Sequence, residues 1–397
     1  MPLRALSIAW EVTLDRKTAL SINRRLLNHY ISGTTDVAPG EFSVGTDVFT
    51  DPKLAELERA KLFHATPQPV AFSGEIPDPG CYLTLNILDV PVLLVRDDHG
   101  RLFAFINSCM HRGAQVARGS GKASSLVCAF HGWSYKHDGT LKGRPEADMF
   151  ATRPEDCSLA RLAVAEKHGI VVVGCSADTS QRAVDSALDE IGLELECLKL
   201  KEYRVIERRR FDVAANWKLI NDLSLESYHF KTLHRDSVAK ILAPNAAVDT
   251  FGRHSRWAFP MKSIARLEQL KESEWPDSVE GSVTYTLYPG VMLLVNASGA
   301  QIIRSEPGHS PGSSVVTYVG MYAPHGSFDG ACEAFRFGGD VFADEDLQPL
   351  LRAMKKKAPE FVRLQHQLIH PVLLILPSLD HLDLVQVNAL AYIKHLG

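Results

Sequence analysis

The sequence predicts an α+β protein in which a small all-β domain is followed by a larger domain that mixes strands and helices. Three observations carry this. The chain has 397 residues, enough for two or three compact domains. Between Cys81 and Asn107 three strand-like runs, CYLTLNI, PVLLVR and LFAFIN, follow one another across short turns. From Tyr203 onward strands and helices mix in an α+β pattern, with no internal repeat or low-complexity segment.

Taken in order, a weakly amphipathic stretch from Lys17 to His29 comes first, followed by the polar segment SGTTDVAPGEF, which reads as a linker. Residues 1–50 are expected to form a helical arm on the larger domain. Pro52 suits the first turn of a short helix in PKLAELERAKLF. After the three runs, LAVAEKHGIVVVG is again strand-like, and SQRAVDSALDEIGLELECL has helical spacing at Val184, Leu188, Ile191 and Leu195. The small domain is expected to close between these two, giving domains at 51–178 and 179–397. The larger one reads as a strand in YRVIERRRFDV and a helix from Trp217 to Tyr228. Strands near Thr284 to Val295 and Ser314 to Tyr322 and a helix near Asp346 to Lys357 complete it.

Composition narrows the function. Apolar residues are 45%, charged residues 23% and the net charge is −4, so no general attraction to nucleic acid or anionic membrane is expected. No apolar run approaches the roughly 20 residues that span a bilayer, and Met1 to Tyr30 lacks a basic segment followed by an apolar one. A cytoplasmic location is the expectation. The seven cysteines (Cys81, Cys109, Cys128, Cys157, Cys175, Cys197 and Cys332) are odd in number and irregularly spaced, which fits thiols or metal ligands rather than disulfides.

Two of those cysteines stand in NSCMHRGAQVARGSGKASSLVCAFHGWSYKHDG. Cys109 and His111 form a CxH pair, and Cys128 and His131 a CxxH pair. Structural zinc sites more often pair like ligands, CxxC with HxxxH, whereas each pair here mixes sulfur with nitrogen. The mixture suits a Rieske 2Fe-2S centre, with Cys109 and Cys128 on one iron and His111 and His131 on the other; zinc is the alternative. GSGK at Gly119 to Lys122 lacks the spacing of a phosphate-binding loop and reads as a flexible tip between the cluster loops.

The stretch LESYHFKTLHR adds Glu226, His229 and His234. On a regular helix Glu226 and His229 share a face, but His229 and His234 point about 140° apart. They converge only if the helix ends or bulges between them. Two histidines and one carboxylate would leave open positions on Fe(II) for dioxygen.

CMHRG…CAFHGW, together with NWKLINDLSLESYH, resembles the motifs of Rieske non-heme iron oxygenases, the aromatic-ring-hydroxylating dioxygenase alpha-subunit family, over about Asp51 to Lys357. The resemblance implies a small all-β Rieske domain and a larger catalytic domain with an antiparallel sheet flanked by helices. It implies that Trp133 packs beside the cluster, that His229 and His234 bind the mononuclear iron, and that Asn216 lies near it. Glu226 would not be a ligand but a bridge between a neighbour's His131 and this chain's His229. The third ligand would come from the acidic group in DVFADEDLQPLL, with Asp346 chosen and Asp344 as runner-up. Plain N-terminal acidity of a helix is the bland reading of that group. Leu223 and Ser224 depart from the family pattern.

The resemblance further implies a homotrimer, because cluster and iron of one subunit are far apart and a neighbour's cluster must serve each iron. No GxGxxG fingerprint appears, so electrons, originally from NAD(P)H, would arrive through a separate reductase or ferredoxin. The chain would be a terminal oxygenase that uses O2 to hydroxylate or dihydroxylate a small organic substrate, with an aromatic compound as the leading reading. Trp257, Phe259, Tyr285, Tyr288, Met292 and Leu294 fall in the region that lines the family pocket. Glutamate at the bridge also resembles relatives that oxidise choline, betaine or carnitine, making a monooxygenase or demethylase of a quaternary ammonium compound the alternative. A Rieske electron carrier without oxygenase activity and a structural zinc protein are more distant options.

Overall fold

The structure is a computed structural model that describes residues 12–37, 42–223, 225–296, 298–324, 326–347 and 364–366. The chain forms two compact units. One comprises Glu58–Asp189 with Leu200–Glu202, and the other Met1–Leu57, Glu190–Lys199 and Tyr203–Gly397.

The smaller unit is built mainly of antiparallel strands. Its largest sheet runs, in spatial order, Arg161–Leu162, Leu102–Ile106, Val90–Arg96, Cys81–Ile87 and Ser120–Lys122. Val92 and Leu94 face one core, with Leu83, Ile87 and Ala104, while Leu93 and Val95 face a second core shared with Cys109, Cys128, Trp133 and Tyr135. Burial on both faces explains why PVLLVR is a continuous apolar run instead of an alternating one. The GSGK segment is not a free tip: Ser120–Lys122 pairs with Cys81–Leu83 as the sheet's edge strand. Two three-stranded sheets complete the unit. One has the order Val164–Lys167, Ile170–Val173, Gln68–Phe72, and the other Leu141–Gly143, Ser134–Tyr135, Leu126–Val127.

In the larger unit a seven-stranded antiparallel sheet runs Arg204–Val213, Ser314–Tyr322, Gly299–Pro307, Val291–Asn296, Gly281–Leu287, His254–Pro260 and Ala247–Phe251. The helix Arg16–Ser32 is capped by the Asp15 side chain and ends at Gly33, whose φ of 65° suits a residue without Cβ. Its Asn23 side chain joins it to the sheet region, donating to the Ser278 carbonyl and accepting from the Glu280 amide.

The helices depart from the sequence expectation. The one starting at Trp217 stops at Leu223, short of Tyr228. The stretch after Ser180 is two short helices, Gln181–Ser186 and Gly192–Cys197, rather than one. A helix at Phe328–Asp340, N-capped by Ser327, was not expected, and it continues into a wide π-helical turn, Val341–Asp346. The acidic group therefore lies in a π-helical turn that continues an earlier helix, and Leu347 after it is helical; residues 348–357 of the expected helix lie outside the described residues. No helix among the described residues is long and apolar enough to cross a membrane.

Candidate functional site

The first constellation forms on two loops of the smaller unit that make the same turn. In each, the cysteine amide donates to the carbonyl five residues on (Ala114, Trp133), and a glycine amide donates back to the cysteine carbonyl (Gly113 to Cys109, Gly132 to Cys128). Gly113 and Gly132 have φ of 75° and 71°, a left-handed conformation that glycine adopts without strain. Each loop thus presents one thiol inward and one imidazole near the surface: Cys109 and Cys128 are buried, His131 exposed and His111 half-buried. The two imidazole centroids lie 4.5 Å apart, and His111 stacks on Trp133 at 5.1 Å and 4°.

Several partners of this group had no sequence signal. The Tyr135 hydroxyl lies 3.2 Å from Cys109 Sγ and accepts the Met110 amide. Phe150 stands edge-on to His111 and Trp133, with the Arg144 guanidinium 4.5 Å from its ring centroid. Burial raises the Cys109 pKa, against the hydrogen bond from Tyr135, and it raises that of Tyr135. Burial lowers the His111 pKa, helped by the neighbouring His131. Nδ1 of His111 is buried with no hydrogen-bond partner. Two thiols, two imidazoles and an unpartnered ring nitrogen fit a 2Fe-2S cluster of mixed ligation.

The second constellation forms in the larger unit. After Leu223 the chain turns, and both oxygens of Glu226 are engaged: Oε2 accepts the amides of Tyr228 and His229, and Oε1 meets Nδ1 of His229. This starts a 3-10 turn at Tyr228–Lys231. Leaving the α-helix brings together histidines five apart in sequence, and the rings of His229 and His234 come to 4.8 Å. Asp346 Oδ1, carried in by the wide turn, lies 2.9 Å from Nε2 of His234 and 3.8 Å from Nε2 of His229. One ligand atom from each of the three lies within 4.8 Å of the others. Asp344 is exposed.

The other ring nitrogens are occupied. His234 Nδ1 lies 2.6 Å from Glu345 Oε2, which also accepts the Ser237 hydroxyl. With Nδ1–H donating to a carboxylate in each ring, both Nε2 lone pairs are free to point at a shared centre. Oδ1 of Asp346 is buried and has no hydrogen-bond partner despite its approach to His234. Two imidazole nitrogens and an unpartnered carboxylate oxygen fit a facial Fe(II) site. Burial works against charge on His234, but Asp346 and Glu345 outweigh it and raise its pKa.

A cavity of about 150 Å³ opens beside the triad. Of the aromatic and aliphatic residues expected there, Phe259, Met292 and Leu294 line it. Trp257 is buried with its indole N–H on Ser255, the Tyr285 hydroxyl donates to Glu194, and Tyr288 lies under the Arg253 guanidinium. Phe230, Phe337 and Phe342 supply other apolar walls. Asn216 is not among the lining residues. Its amide donates to the carbonyls of Phe49 and Pro311 and its oxygen accepts the Lys218 amide, so it fixes the start of a helix.

Residues 66–154 match the family model described as "Rieske [2Fe-2S] domain", and residues 200–356 that described as "Ring hydroxylating alpha subunit (catalytic domain)". The anthranilate 1,2-dioxygenase large subunit of Acinetobacter baylyi is 31% identical over 226 residues, covering 54% of this chain and 47% of that protein. A chloroplastic choline monooxygenase of Amaranthus tricolor is 31% identical over 198 residues, covering 49% and 45%. The chain spans about half the length of these curated relatives. In fold it is similar to a quaternary ammonium Rieske monooxygenase solved with L-carnitine, with a TM-score of 0.70 at 20% identity over 91% of this chain and 95% of that one.

Proposed function

The chain belongs to the family of Rieske ring-hydroxylating oxygenase alpha subunits, and on that premise we propose that it is a terminal oxygenase acting on a small aromatic substrate. The observation that carries this is the convergence of His229, His234 and Asp346 in the lining of a largely apolar cavity. When bound, a Rieske cluster supplies electrons one at a time, and mononuclear Fe(II) supplies the site of dioxygen activation. Cys109, His111, Cys128 and His131 would hold the first, and the triad the second.

The chain's own groups prepare the centre. Glu226 and Glu345 each hold an Nδ1–H, which fixes the tautomer and the plane of both imidazoles. Phe230, edge-on to both rings at 5.1 and 5.7 Å, shields them from water on one side. The cavity would hold the substrate carbon against the third side. A cavity of this size takes a single benzene ring.

Electron entry is assigned to Glu226, between His131 of a neighbouring subunit in a homotrimer and this chain's His229. A carboxylate has about four acceptor positions, so Glu226 can hold His229 and still accept from a second ring. The division into an arm at 1–50, a Rieske domain at 51–178 and a catalytic domain at 179–397 belongs to the same reading, as does a separate reductase or ferredoxin. A second reading, oxidation of a quaternary ammonium compound, draws on the four phenylalanines lining the cavity, since aromatic faces attract such cations. Turnover with a surrogate reductase, screened over aromatic and quaternary ammonium compounds, tests both; oxygen-dependent product from neither class overturns the oxygenase reading.

A further inference from the structure

The sheet wall of the cavity carries two side-chain amides whose oxygens are already committed. Asn296 Oδ1 accepts the amides of Ser298 and Gly299, both at 3.0 Å, and so caps the hairpin between strands Val291–Asn296 and Gly299–Pro307. Gln301 Oε1 accepts the Tyr318 hydroxyl at 2.6 Å, a length typical of O–H···O bonds. Each residue is only 6% exposed and both line the cavity. With its oxygen pinned, each amide turns its NH2 the other way, and among the described residues neither NH2 group has a hydrogen-bond partner.

The strand register places the two donors together. Asn296 stands opposite Gly299 and Leu294 opposite Gln301, so the two residues are diagonal neighbours on one face, with a backbone spacing of about 7–8 Å. The rest of the cavity is mostly apolar, and among the described lining residues there is no lysine or arginine. A donor pair in such a place is costly to bury unless a ligand meets it.

We infer that Asn296 and Gln301 select substrate chemistry: the cavity takes an uncharged, largely apolar molecule bearing a hydrogen-bond-accepting oxygen such as a carbonyl, held at the sheet wall. An anionic substrate meets no lysine or arginine among the described lining residues. A quaternary ammonium centre offers the amides nothing to bind. This specificity rests on the proposed function, since it concerns the same cavity.

The test is anaerobic calorimetric binding to the metal-loaded protein, which needs no turnover. The probes are acetophenone, its carbon isostere α-methylstyrene, benzoate and choline. Acetophenone is expected to bind about tenfold more tightly than α-methylstyrene. Asn296→Asp keeps the oxygen that caps the hairpin and removes the donor, and Gln301→Leu leaves Tyr318 the Phe335 carbonyl at 3.1 Å. Each variant should lose several-fold in acetophenone affinity while α-methylstyrene stays within about twofold. Equal affinity for the isosteres, an unchanged preference in both variants, absence of acetophenone binding, or tighter binding of benzoate or choline overturns the inference. Lack of oxygen-dependent product from the same samples counts against the oxygenase reading alone.

Discussion

Nδ1 of His234 lies 2.6 Å from Oε2 of Glu345, the residue immediately before Asp346. One turn of chain thus brings in both the candidate carboxylate ligand and the group that orients a histidine. Glu345→Ala is expected to weaken Fe(II) binding by about 10–100-fold, since it frees the ring to rotate and change tautomer. Iron titration of the variant measures this, and affinity equal to the parent would remove Glu345 from the site.

His229→Ala and Asp346→Ala should each leave the two cluster irons and lose the mononuclear one. Iron analysis alongside the electron paramagnetic resonance signal of the reduced cluster separates the two populations. If Asp346→Ala keeps full iron and Asp344→Ala loses it, the ligand assignment changes.

Glu226→Gln should retain both metal groups and lose most coupled turnover, because a neutral amide no longer answers the charge of the rings it joins. Product formed per dioxygen consumed is the readout. Full coupled activity would exclude Glu226 from the electron path.

Tyr135→Phe removes the hydroxyl 3.2 Å from Cys109 Sγ. Hydrogen bonds to cluster sulfur stabilise the reduced state, so the potential should move to more negative values. Redox titration of the visible spectrum would detect this, and an unchanged potential would mean that the hydroxyl bonds elsewhere once the cluster is in place.

Asp222 predicts a pH dependence. Withdrawal from water raises its pKa to about 7; Lys218 opposes the shift and the charge of Glu226 adds to it. The folded chain then keeps a proton that the unfolded chain releases near pH 4. Its contribution to stability is therefore full below about pH 4 and is lost as pH rises through about 7, by roughly 2–4 kcal/mol. Asp222→Asn should flatten this part of the profile in denaturant unfolding; an unaltered slope between pH 4 and 7 would exclude Asp222 as its source.

Sequence alone disclosed the sites unevenly, for physical reasons. Cys109, His111, Cys128 and His131 are legible because their chemistry is local to two loops, and each loop also has a glycine four residues after its cysteine. His229 and His234 were legible as candidates. The break that unites them depends on Glu226 binding backbone amides, which residue spacing does not encode. Asp346 was reached only through resemblance, because ADEDL has the look of a helix start. The helix before it, FDGACEAFRFGGD, hides behind glycines of poor helix propensity. Gly338 is needed there, since a Cβ would lie 2.7 Å from Gln301 Oε1 and 2.8 Å from the Tyr318 hydroxyl. Glu345 and Tyr135 had no signal, because their roles arise only when distant segments meet.

The wide turn Val341–Asp346 makes the carboxylate's position a matter of counting. Each residue added to or removed from a helix rotates all that follows by about 100°. Between Phe328 and Asp346 a single-codon deletion would thus swing the acid away from both histidines while leaving the sheet intact. Outside Gly338, Glu345 and Asp346, substitutions in this segment can be tolerated where length changes cannot. Descendants of this gene that keep the chemistry should therefore conserve the number of residues here more strictly than their identities.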